Sequence, residues 1–317
     1  MTDIPYISWL GHGAIDIAPP GVFTDAKASA FVIDADKAAM QSLTDKLLNA
    51  ASDGSVTYEA AVSNAMFSFV DVARSSSGTD NVGWLPGREA AIWIPLIERH
   101  KGDILKTRII LWAPYIFINY AMGMVIGRET WGWAKVMADL EVASDNPADP
   151  QFCTTTTFFP TMTKETQGVT APLYRIKSAT IQNAADTAPS WSQGSEAWGA
   201  ILATLVQNVD PEIAGLFNFD PHIPSVALKQ FREAGATNNA CYRAIVHTPI
   251  EVTHFHGAGL LHGDYSIEVT TCESHQIVRD ILGREPDPGS TQIAVKHAFW
   301  GHIDFETLPG ENIVVSS

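Results

Sequence analysis

The sequence predicts an α+β protein that is mostly β, with large, mainly antiparallel sheets and few helices. Short runs rich in β-branched and aromatic residues recur along the chain, whereas only a few segments place apolar residues at helical spacing. The 317 residues are 46% hydrophobic and only 17% charged, so the chain can bury a large core. No repeat at solenoid or propeller spacing and no heptad pattern is present in the sequence, which favours a packed globular fold.

Local patterns assign the first half of the chain to one helix followed by sheet. Apolar residues from Ala38 to Leu48 recur mostly at helical spacing, and Asp34 or Asp36 can cap the first turn. Aromatic and β-branched runs then predict strands, and a stretch rich in Ser, Gly, Asp and Asn predicts a long loop of the kind that often carries function. The expected order is a helix over 34–51, a strand over 58–73, a loop over 75–87, and strands over 88–98 and 109–126.

The second half follows the same logic. A Thr, Phe and Tyr-rich stretch broken at Gly168 predicts a hairpin, and apolar residues on one side of 198–205, with Glu196 in the first turn, predict a helix. A final helix is expected to end at Gly283, with Pro286 soon after. The expected order is a hairpin over 152–179, a polar link over 184–194, a helix over 195–209, strands over 226–231, 240–247 and 252–255, and a helix over 274–282.

Residues 109–127 raise the question of a membrane span. The segment is uncharged over nineteen positions, close to the roughly 20 residues that cross a bilayer. Pro114, Asn119 and two glycines interrupt it, and its density of aromatic and β-branched residues suits buried strands better. We therefore expect no membrane partner.

Charge narrows the classes of ligand. The chain has 35 acidic and 20 basic residues, a formal charge of -15, and therefore repels nucleic acid and anionic lipid. An anionic substrate would need a local cationic group inside a pocket.

Cysteine usage and the first residues indicate the compartment. Cys153, Cys241 and Cys272 are far apart and form no CxxC pair, so we expect them to be buried and reduced. The segment from Met1 to Gly11 lacks the features of a secretory signal, which makes a cytoplasmic location the expectation.

Lys135 is the most informative candidate for chemistry. It lies in Gly127-Arg-Glu-Thr-Trp-Gly-Trp-Ala-Lys-Val-Met137, an unusually aromatic neighbourhood for a lysine. An extended chain puts Trp131, Trp133, Lys135 and Met137 on one face, and a helix still puts Trp131 one turn before Lys135. Desolvation lowers a lysine pKa and leaves free amine to attack a ketone and form a Schiff base. The alternative is a lysine whose stem covers the core while its head reaches water.

The same segment resembles the Gly-Arg-Glu-x-x-x-x-Pro-Lys signature of acetoacetate decarboxylases, in which Lys135 takes the position of the Schiff-base lysine. Glu89 precedes Ile94-Pro95 much as the family's catalytic glutamate precedes its own Ile-Pro. Three downstream stretches are similar to larger members of the superfamily. These are 228–231 (Leu-Lys-Gln-Phe), 241–246 (Cys-Tyr-Arg-Ala-Ile-Val) and 254–257 (His-Phe-His-Gly).

The resemblance implies a closed, cone-like double-layered antiparallel β-barrel with peripheral helices, no cofactor and a homo-oligomer. It covers roughly residues 25–285, so the chain is expected to be a single domain over 1–317 with variable extensions at 1–25 and 286–317. The sequence departs from the family pattern at several positions. Val136 replaces a second lysine and Ala134 replaces the proline, a family arginine falls near Ala26 and Lys27, and a second family glutamate falls on Ser68 or Phe69.

Five further residues are candidates for the site. Glu89 is the candidate proton carrier, since a carboxylic acid in an apolar pocket can have a raised pKa; the alternative is an ordinary ion pair with Arg88 or another base. Arg128 and Glu129 are candidates for holding a substrate carboxylate and orienting the loop, or else form a structural ion pair. Tyr120 and Trp131 are expected to wall the pocket, although aromatic residues in a β-rich core need no functional role.

The sequence lacks the motifs typical of metal sites, nucleotide-binding sites and serine hydrolases. His254 and His256 would share a face of a strand, but no third ligand stands at a recognisable spacing, so no metal site is expected. The sequence has no P-loop, no GxGxxG after a strand and no GxSxG elbow.

The leading hypothesis is a cofactor-independent carbon-carbon lyase that acts on a small keto acid through Lys135. It would either decarboxylate a β-keto acid or condense a pyruvate-type acid with an aldehyde and dehydrate the product. Two alternatives remain: a dehydratase or cyclase acting on a biosynthetic intermediate, and a non-catalytic small-molecule binding protein on the same fold.

Overall fold

The structure, a computed structural model, describes residues 5–12, 17–146, 151–178, 190–205 and 222–316. Within these ranges strands dominate and helices are short. The helices are α1 (Lys37–Thr44), α2 (Ala121–Ile126), α3 (Gly194–Leu205) and α4 (Ile277–Leu282), with π-helical turns at Asp45–Asn49 and Gly127–Trp131 and a 3-10 turn at Ala143–Asp145. The strands are β1 (Gly21–Asp34), β2 (Val56–Ala60), β3 (Asn64–Ser77), β4 (Leu85–His100), β5 (Asp103–Ile118), β6 (Lys135–Met137), β7 (Asp139–Glu141), β8 (Gln151–Phe158), β9 (Val169–Ser178), β10 (His222–Ile223), β11 (Ser225–Arg232), β12 (Ala240–His247), β13 (Ile250–Leu260), β14 (Tyr265–Thr270), β15 (Ser290–Ala294), β16 (His297–Thr307) and β17 (Glu311–Ser316).

The larger sheet has twelve strands, ten of which form the path β10-β13-β16-β1-β3-β4-β5-β11-β12-β17. β2 joins β4, and β6 joins β5. Neighbouring strands are antiparallel, except that β5 runs parallel to both β6 and β11. The resemblance implies a closed barrel, but the strand pairings of the described residues form an open path with β10 and β17 at its ends.

The smaller sheet covers one face of the larger one. Its five strands follow the order β15-β14-β9-β8-β7. Aromatic side chains from the two sheets meet: the Phe31 and Phe152 rings lie 5.1 Å apart and the Phe67 and Tyr174 rings 5.3 Å apart, both edge to face. The main apolar core therefore lies between the sheets.

The two faces of β4 have different roles, because side chains alternate along a strand. Ile92 and Ile94 point into the main core. Ala91 belongs to a second apolar cluster on the opposite face, and Trp93 packs against it. The other buried members of this second apolar cluster are Ala113, Ile116, Ile126, Trp131, Trp133 and Ala227. Odd-numbered side chains of β4 in this region thus face away from the smaller sheet.

Several sequence predictions are confirmed. The first helix appears as α1 and the π-helical turn after it, with Asp36 Oδ1 accepting a hydrogen bond from the Ala39 amide as the N-cap. α4 ends at Gly283, whose φ of 64° is the left-handed conformation expected there. The helix expected over 195–209 appears as α3, and 206–209 lie outside the described residues, as do 184–189 of the polar link.

Other predictions are wrong in part. β5 ends at Ile118 and residues 121–126 are helical, because Met and Ala, which favour helices, fill the end of that apolar run. The loop expected over 75–87 is shorter, since Ser75 and Ser77 pair with β1 and β4 begins at Leu85. Cys241 is exposed, whereas Cys153 and Cys272 are buried.

The sequence patterns did not predict the strands near the two ends of the chain. Residues 21–34 form β1, and β16 lies between β13 and β1 within the larger sheet. The segment 286–317, expected as an extension, contributes β15 to the smaller sheet and β16 and β17 to the larger one. Among the described residues, no helix is long and apolar enough to span a membrane.

Glu98 on β4 joins four strands through a buried polar network. It is fully buried, lies opposite Tyr58 of β2 and Arg108 of β5, and accepts hydrogen bonds from both, at 3.1 and 3.0 Å. His247 Nε2 of β12 lies 2.5 Å from the Glu98 Oε2, the same oxygen that accepts from Tyr58. Burial by itself would raise the pKa of Glu98, but the hydrogen bond and charge of His247 and the charge of Arg108 lower it to about 2.

Glu98→Gln should therefore lower the free energy of unfolding at pH 7 by about 3 kcal/mol. The carboxylate contributes this stability above its unfolded pKa near 4.5 and loses it as the pH falls towards 2, so wild type and variant should converge in acid. Urea unfolding at pH 7 and pH 3 measures both values. Glu59→Gln, which breaks the exposed pair with Arg99, should cost about 1 kcal/mol or less; an equal cost for the two variants would contradict the assignment.

Candidate active site

The segment that carries Lys135 is a helix end followed by a short strand. α2 continues into the π-helical turn Gly127–Trp131 and stops at Gly132, whose φ of 84° is left-handed. The Trp133 amide then donates to the Gly127 carbonyl at 3.0 Å, and the Lys135 amide donates to the Trp133 carbonyl at 2.7 Å. These bonds fold the chain tightly before β6 begins at Lys135.

Gly132 allows this segment to lie directly on β11. A Cβ atom at position 132 would stand 2.5 Å from the Lys229 Cα, a backbone atom that cannot move aside. Only glycine meets both the left-handed backbone and the close approach. The position of Trp133 and Lys135 is thus set against the larger sheet.

Strand register brings Glu89 and Lys135 together. Glu89 of β4 lies opposite Ile118 of β5, and Ile116 of β5 lies beside Lys135 of β6. Residues that are neighbours across strands share a face, so both side chains project from the face that carries the second apolar cluster. Their long side chains meet across β5.

The Lys135 amine is enclosed. Its residue is only 5% exposed, and its Nζ lies 2.5 Å from the Glu89 Oε2 and 4.7 Å from the centroid of the Trp133 ring. The lysine head therefore does not reach water as a surface lysine would. Arg88 pairs instead with Asp71 and Asp145 on the other side of the sheet, which leaves Glu89 to Lys135.

Gly127 packs against the side-chain stem of Lys135. A Cβ atom there would lie 2.6 Å from the Lys135 Cδ and 2.8 Å from its Cε. The absence of a side chain is what lets the lysine stem pass the π-helical turn. The motif glycine thus has a structural reason that the sequence alone did not supply.

Tyr120 lies next to the pair. Its ring is held between Gly87 and Gly123, where added Cβ atoms would approach within 2.1 and 2.5 Å of ring carbons. Its hydroxyl lies 3.4 Å from the Ser75 Oγ. Burial raises the pKa of this hydroxyl, with the charge of Lys135 opposing and the charge of Glu89 adding to the effect. The Tyr120 hydroxyl therefore stays protonated in this site.

The other predicted site residues lie in the segment that precedes Lys135. Trp131 is buried, stacks on Trp133 at 5.3 Å and donates to the Leu308 carbonyl. Arg128 donates to the Lys135 carbonyl at 3.1 Å, and no ion pair between Arg128 and Glu129 is found in the described part of the chain. Both line a cavity of about 380 Å³ together with Trp133. The structure thus groups Lys135, Glu89, Tyr120 and Trp133, with Trp131, Arg128 and Glu129 supporting the segment around them.

Lys229 is a second amine that sequence reasoning did not single out. It is half-buried on β11, and its Nζ donates to the Thr130 carbonyl at 3.2 Å. Burial lowers its pKa, and the charge of Glu129 opposes this. From the sequence, the stretch 228–231 shows only a resemblance to larger members of the superfamily. The position of Lys229 beside the segment that carries Lys135 depends on the close approach at Gly132, which local sequence patterns do not show.

The histidines form a separate cluster. The rings of His254 and His256 lie 4.5 Å apart, those of His256 and His302 4.2 Å apart, and Asp304 and Asp25 pair with the last two. Over the ranges that the structure describes, no group of three or more His, Cys, Asp or Glu side chains is arranged to hold a metal ion.

Comparisons with known proteins bear on the fold. No family model and no curated protein matches the sequence. Three similar solved structures are an acetoacetate decarboxylase from Legionella pneumophila subsp. pneumophila str. Philadelphia 1, an acetoacetate decarboxylase-like enzyme from Sphingomonas wittichii RW1, and the enduracididine biosynthesis enzyme MppR complexed with pyruvate.

The three likenesses extend over nearly the whole chain. The first has a TM-score of 0.58 and 14% identity and covers 99% of this chain and 93% of the other. The second has a TM-score of 0.53 and 12% identity and covers 98% of each chain. The third has a TM-score of 0.51 and 12% identity and covers 96% of this chain and 94% of the other. The fold expected from the lysine motif is therefore confirmed: this protein has the acetoacetate decarboxylase-like fold.

Proposed function

We propose that this protein is a cofactor-independent lyase that forms a Schiff base between Lys135 and a small keto acid. The observation that carries the proposal is the enclosed Lys135 amine, in contact with the Glu89 carboxylate and covered by the Trp133 indole. The fold supports it, because similar structures include acetoacetate decarboxylases and an enzyme complexed with pyruvate.

The first step is imine formation. Glu89 takes a proton from the Lys135 ammonium, and the free amine attacks the substrate ketone. The carbinolamine loses one water molecule and becomes an iminium ion. Glu89 is within hydrogen-bond distance of Nζ, so it can carry the proton that this dehydration requires.

The iminium ion then accepts an electron pair. The pair comes from the bond to a departing carboxylate, which leaves as CO2, or from the bond to an α-proton, which a base removes. Either route gives an enamine. Protonation of the enamine completes a decarboxylation, whereas attack on an aldehyde gives an aldol product that can lose water, and hydrolysis of the imine returns the lysine.

The surrounding residues have supporting roles in this proposal. Trp133 and Tyr120 exclude water from the amine, which strengthens electrostatic interactions within the site. Arg128 holds the Lys135 backbone and Trp131 holds the Trp133 ring. Glu129 orients the loop through its place beside Arg128.

We also propose a homo-oligomer, which sedimentation equilibrium would measure.

Borohydride trapping tests the central step. Pyruvate and acetoacetate, each with and without an aldehyde, should give a reduced adduct that peptide mass spectrometry assigns to Lys135. The adduct should be absent in Lys135→Ala and retained in Lys229→Arg, which keeps the charge of the neighbouring half-buried lysine. An adduct on Lys229, or none in a folded protein, would contradict the proposal; released CO2 or an aldol product would identify the reaction.

Glu89→Gln should separate binding from turnover. The amide keeps the shape of the side chain but cannot carry the proton, so turnover and the rate of adduct formation should both fall about 10²-fold to 10⁴-fold, while the adduct yield after long incubation is retained. Steady-state rates and adduct yields measure the two effects. Glu59→Gln, an exposed residue of β2, should change neither, and a Glu89→Gln enzyme with normal turnover would remove Glu89 from the mechanism.

Gly127→Ala should displace the lysine without unfolding the protein. The new methyl group would overlap the flexible Lys135 stem rather than the backbone, so the rate of adduct formation should fall about 100-fold while the melting temperature changes little. Gly301→Ala is the matched control, because a Cβ at Gly301 meets no atom of the described residues within 4 Å. Equal adduct rates in both variants would show that the packing at Gly127 does not position the amine.

A further inference from the structure

A polar groove lies beside the candidate active site, between the π-helical turn and the hairpin formed by β11 and β12. It has a volume of about 510 Å³. Three arginines line it, Arg128 from the turn, Arg232 from β11 and Arg243 from β12. Its other lining residues are Gln230, Phe231, Asn238, Asn239 and Ala240.

The charge of this groove is opposite to that of the whole chain. The sequence has 35 acidic and 20 basic residues. Most other arginines pair with carboxylates, as Arg88, Arg99, Arg108, Arg279 and Arg284 do. Within the described ranges, no carboxylate lies at ion-pair distance from the three groove arginines. Three like charges on one small groove repel one another, and a bound anion would relieve this repulsion.

The three guanidinium groups keep donors for a ligand. One Nη of Arg128 donates a hydrogen bond to the Lys135 carbonyl, and one Nη of Arg232 donates a hydrogen bond to the Thr237 carbonyl at 2.6 Å. These bonds orient the side chains but neutralise no charge. The Arg243 Nε is buried and finds no acceptor among the described residues, so this side chain would give up no Nε hydrogen bond in turning towards a ligand. Each guanidinium has five N–H donors in a fork that matches an oxyanion.

We infer that this groove binds a small organic anion that carries two or more carboxylate or phosphate groups. The volume is that of a metabolite site. The amides of Gln230, Asn238 and Asn239 can bind hydroxyl or carbonyl groups of the same ligand, and Phe231 supplies an apolar surface. The net charge of the protein disfavours a nucleic acid as the occupant.

The site is separate from the Lys135 amine and does not depend on the proposed function. Trp133 lines the adjoining cavity of about 380 Å³ and contacts the Lys135 Nζ. That cavity shares Arg128, Gln230 and Phe231 with the groove. Removal of the lysine amine should therefore leave anion binding intact.

Calorimetric titration with citrate and with pyrophosphate tests the inference. Wild type should bind at least one of them saturably, more weakly as salt is added. Arg243→Gln and Arg232→Gln should each weaken binding about tenfold or more, since each removes charged hydrogen bonds. Arg232 lies on an exposed hairpin, so this variant remains informative if Arg243→Gln does not fold.

Two controls complete the experiment. Arg284→Gln, which removes a half-exposed arginine paired with Asp287, and Lys135→Ala should both bind as wild type does. Stronger binding of citrate or of pyrophosphate would identify the ligand as a carboxylate or a phosphate. The inference is overturned by no saturable binding of either anion, by unchanged binding in both groove variants, or by loss of binding in Lys135→Ala.

Discussion

The contact between Lys135 and Glu89 is the constraint on which the site depends. Removal of two charged groups from water costs several kcal/mol each, and only a well-placed partner offsets that cost. The pair is possible because β4, β5 and β6 lie side by side in a fixed register, and because both residues project from the same face. Gly127, Gly132 and Trp133 then close the surroundings of the amine. A shift of one residue in any of these strands would turn one partner to the opposite face.

The two faces of the larger sheet carry different groups of residues. One face packs against the smaller sheet through large aromatic and aliphatic side chains, which form the main core. The other face carries Glu89, the lysine segment and the second apolar cluster. Since alternate residues of β4 serve the two faces, the same strand both anchors the core and supplies the carboxylate. A side chain on a rigid strand is positioned better than one on a loop.

Two clusters of charged residues in this protein differ in whether opposite charges lie beside them. Glu98, Arg108 and His247 form a compensated buried network that joins strands distant in sequence. The arginines of the groove next to the lysine segment have no such partners among the described residues. The first arrangement stabilises the native register, and the second leaves a concentrated positive potential in an acidic molecule. Burial alone therefore does not distinguish these two arrangements; the presence of an opposite charge does.

The sequence by itself determined the mostly β character, the capped first helix, the Gly283 terminus and the candidate pair Lys135 and Glu89. These features depend on local periodicity, capping chemistry or a short motif, all of which are readable along the chain. It could not determine β1 and β15 to β17, the end of β5 at Ile118, the exposure of Cys241, or the neighbourhood of Lys229 and Tyr120. Strand neighbours, burial and close glycine packing depend on residues far apart in sequence. Only the tertiary structure fixed the register that brings the lysine to the glutamate, because hydrogen bonds between strands, rather than local preference, set which residues face each other.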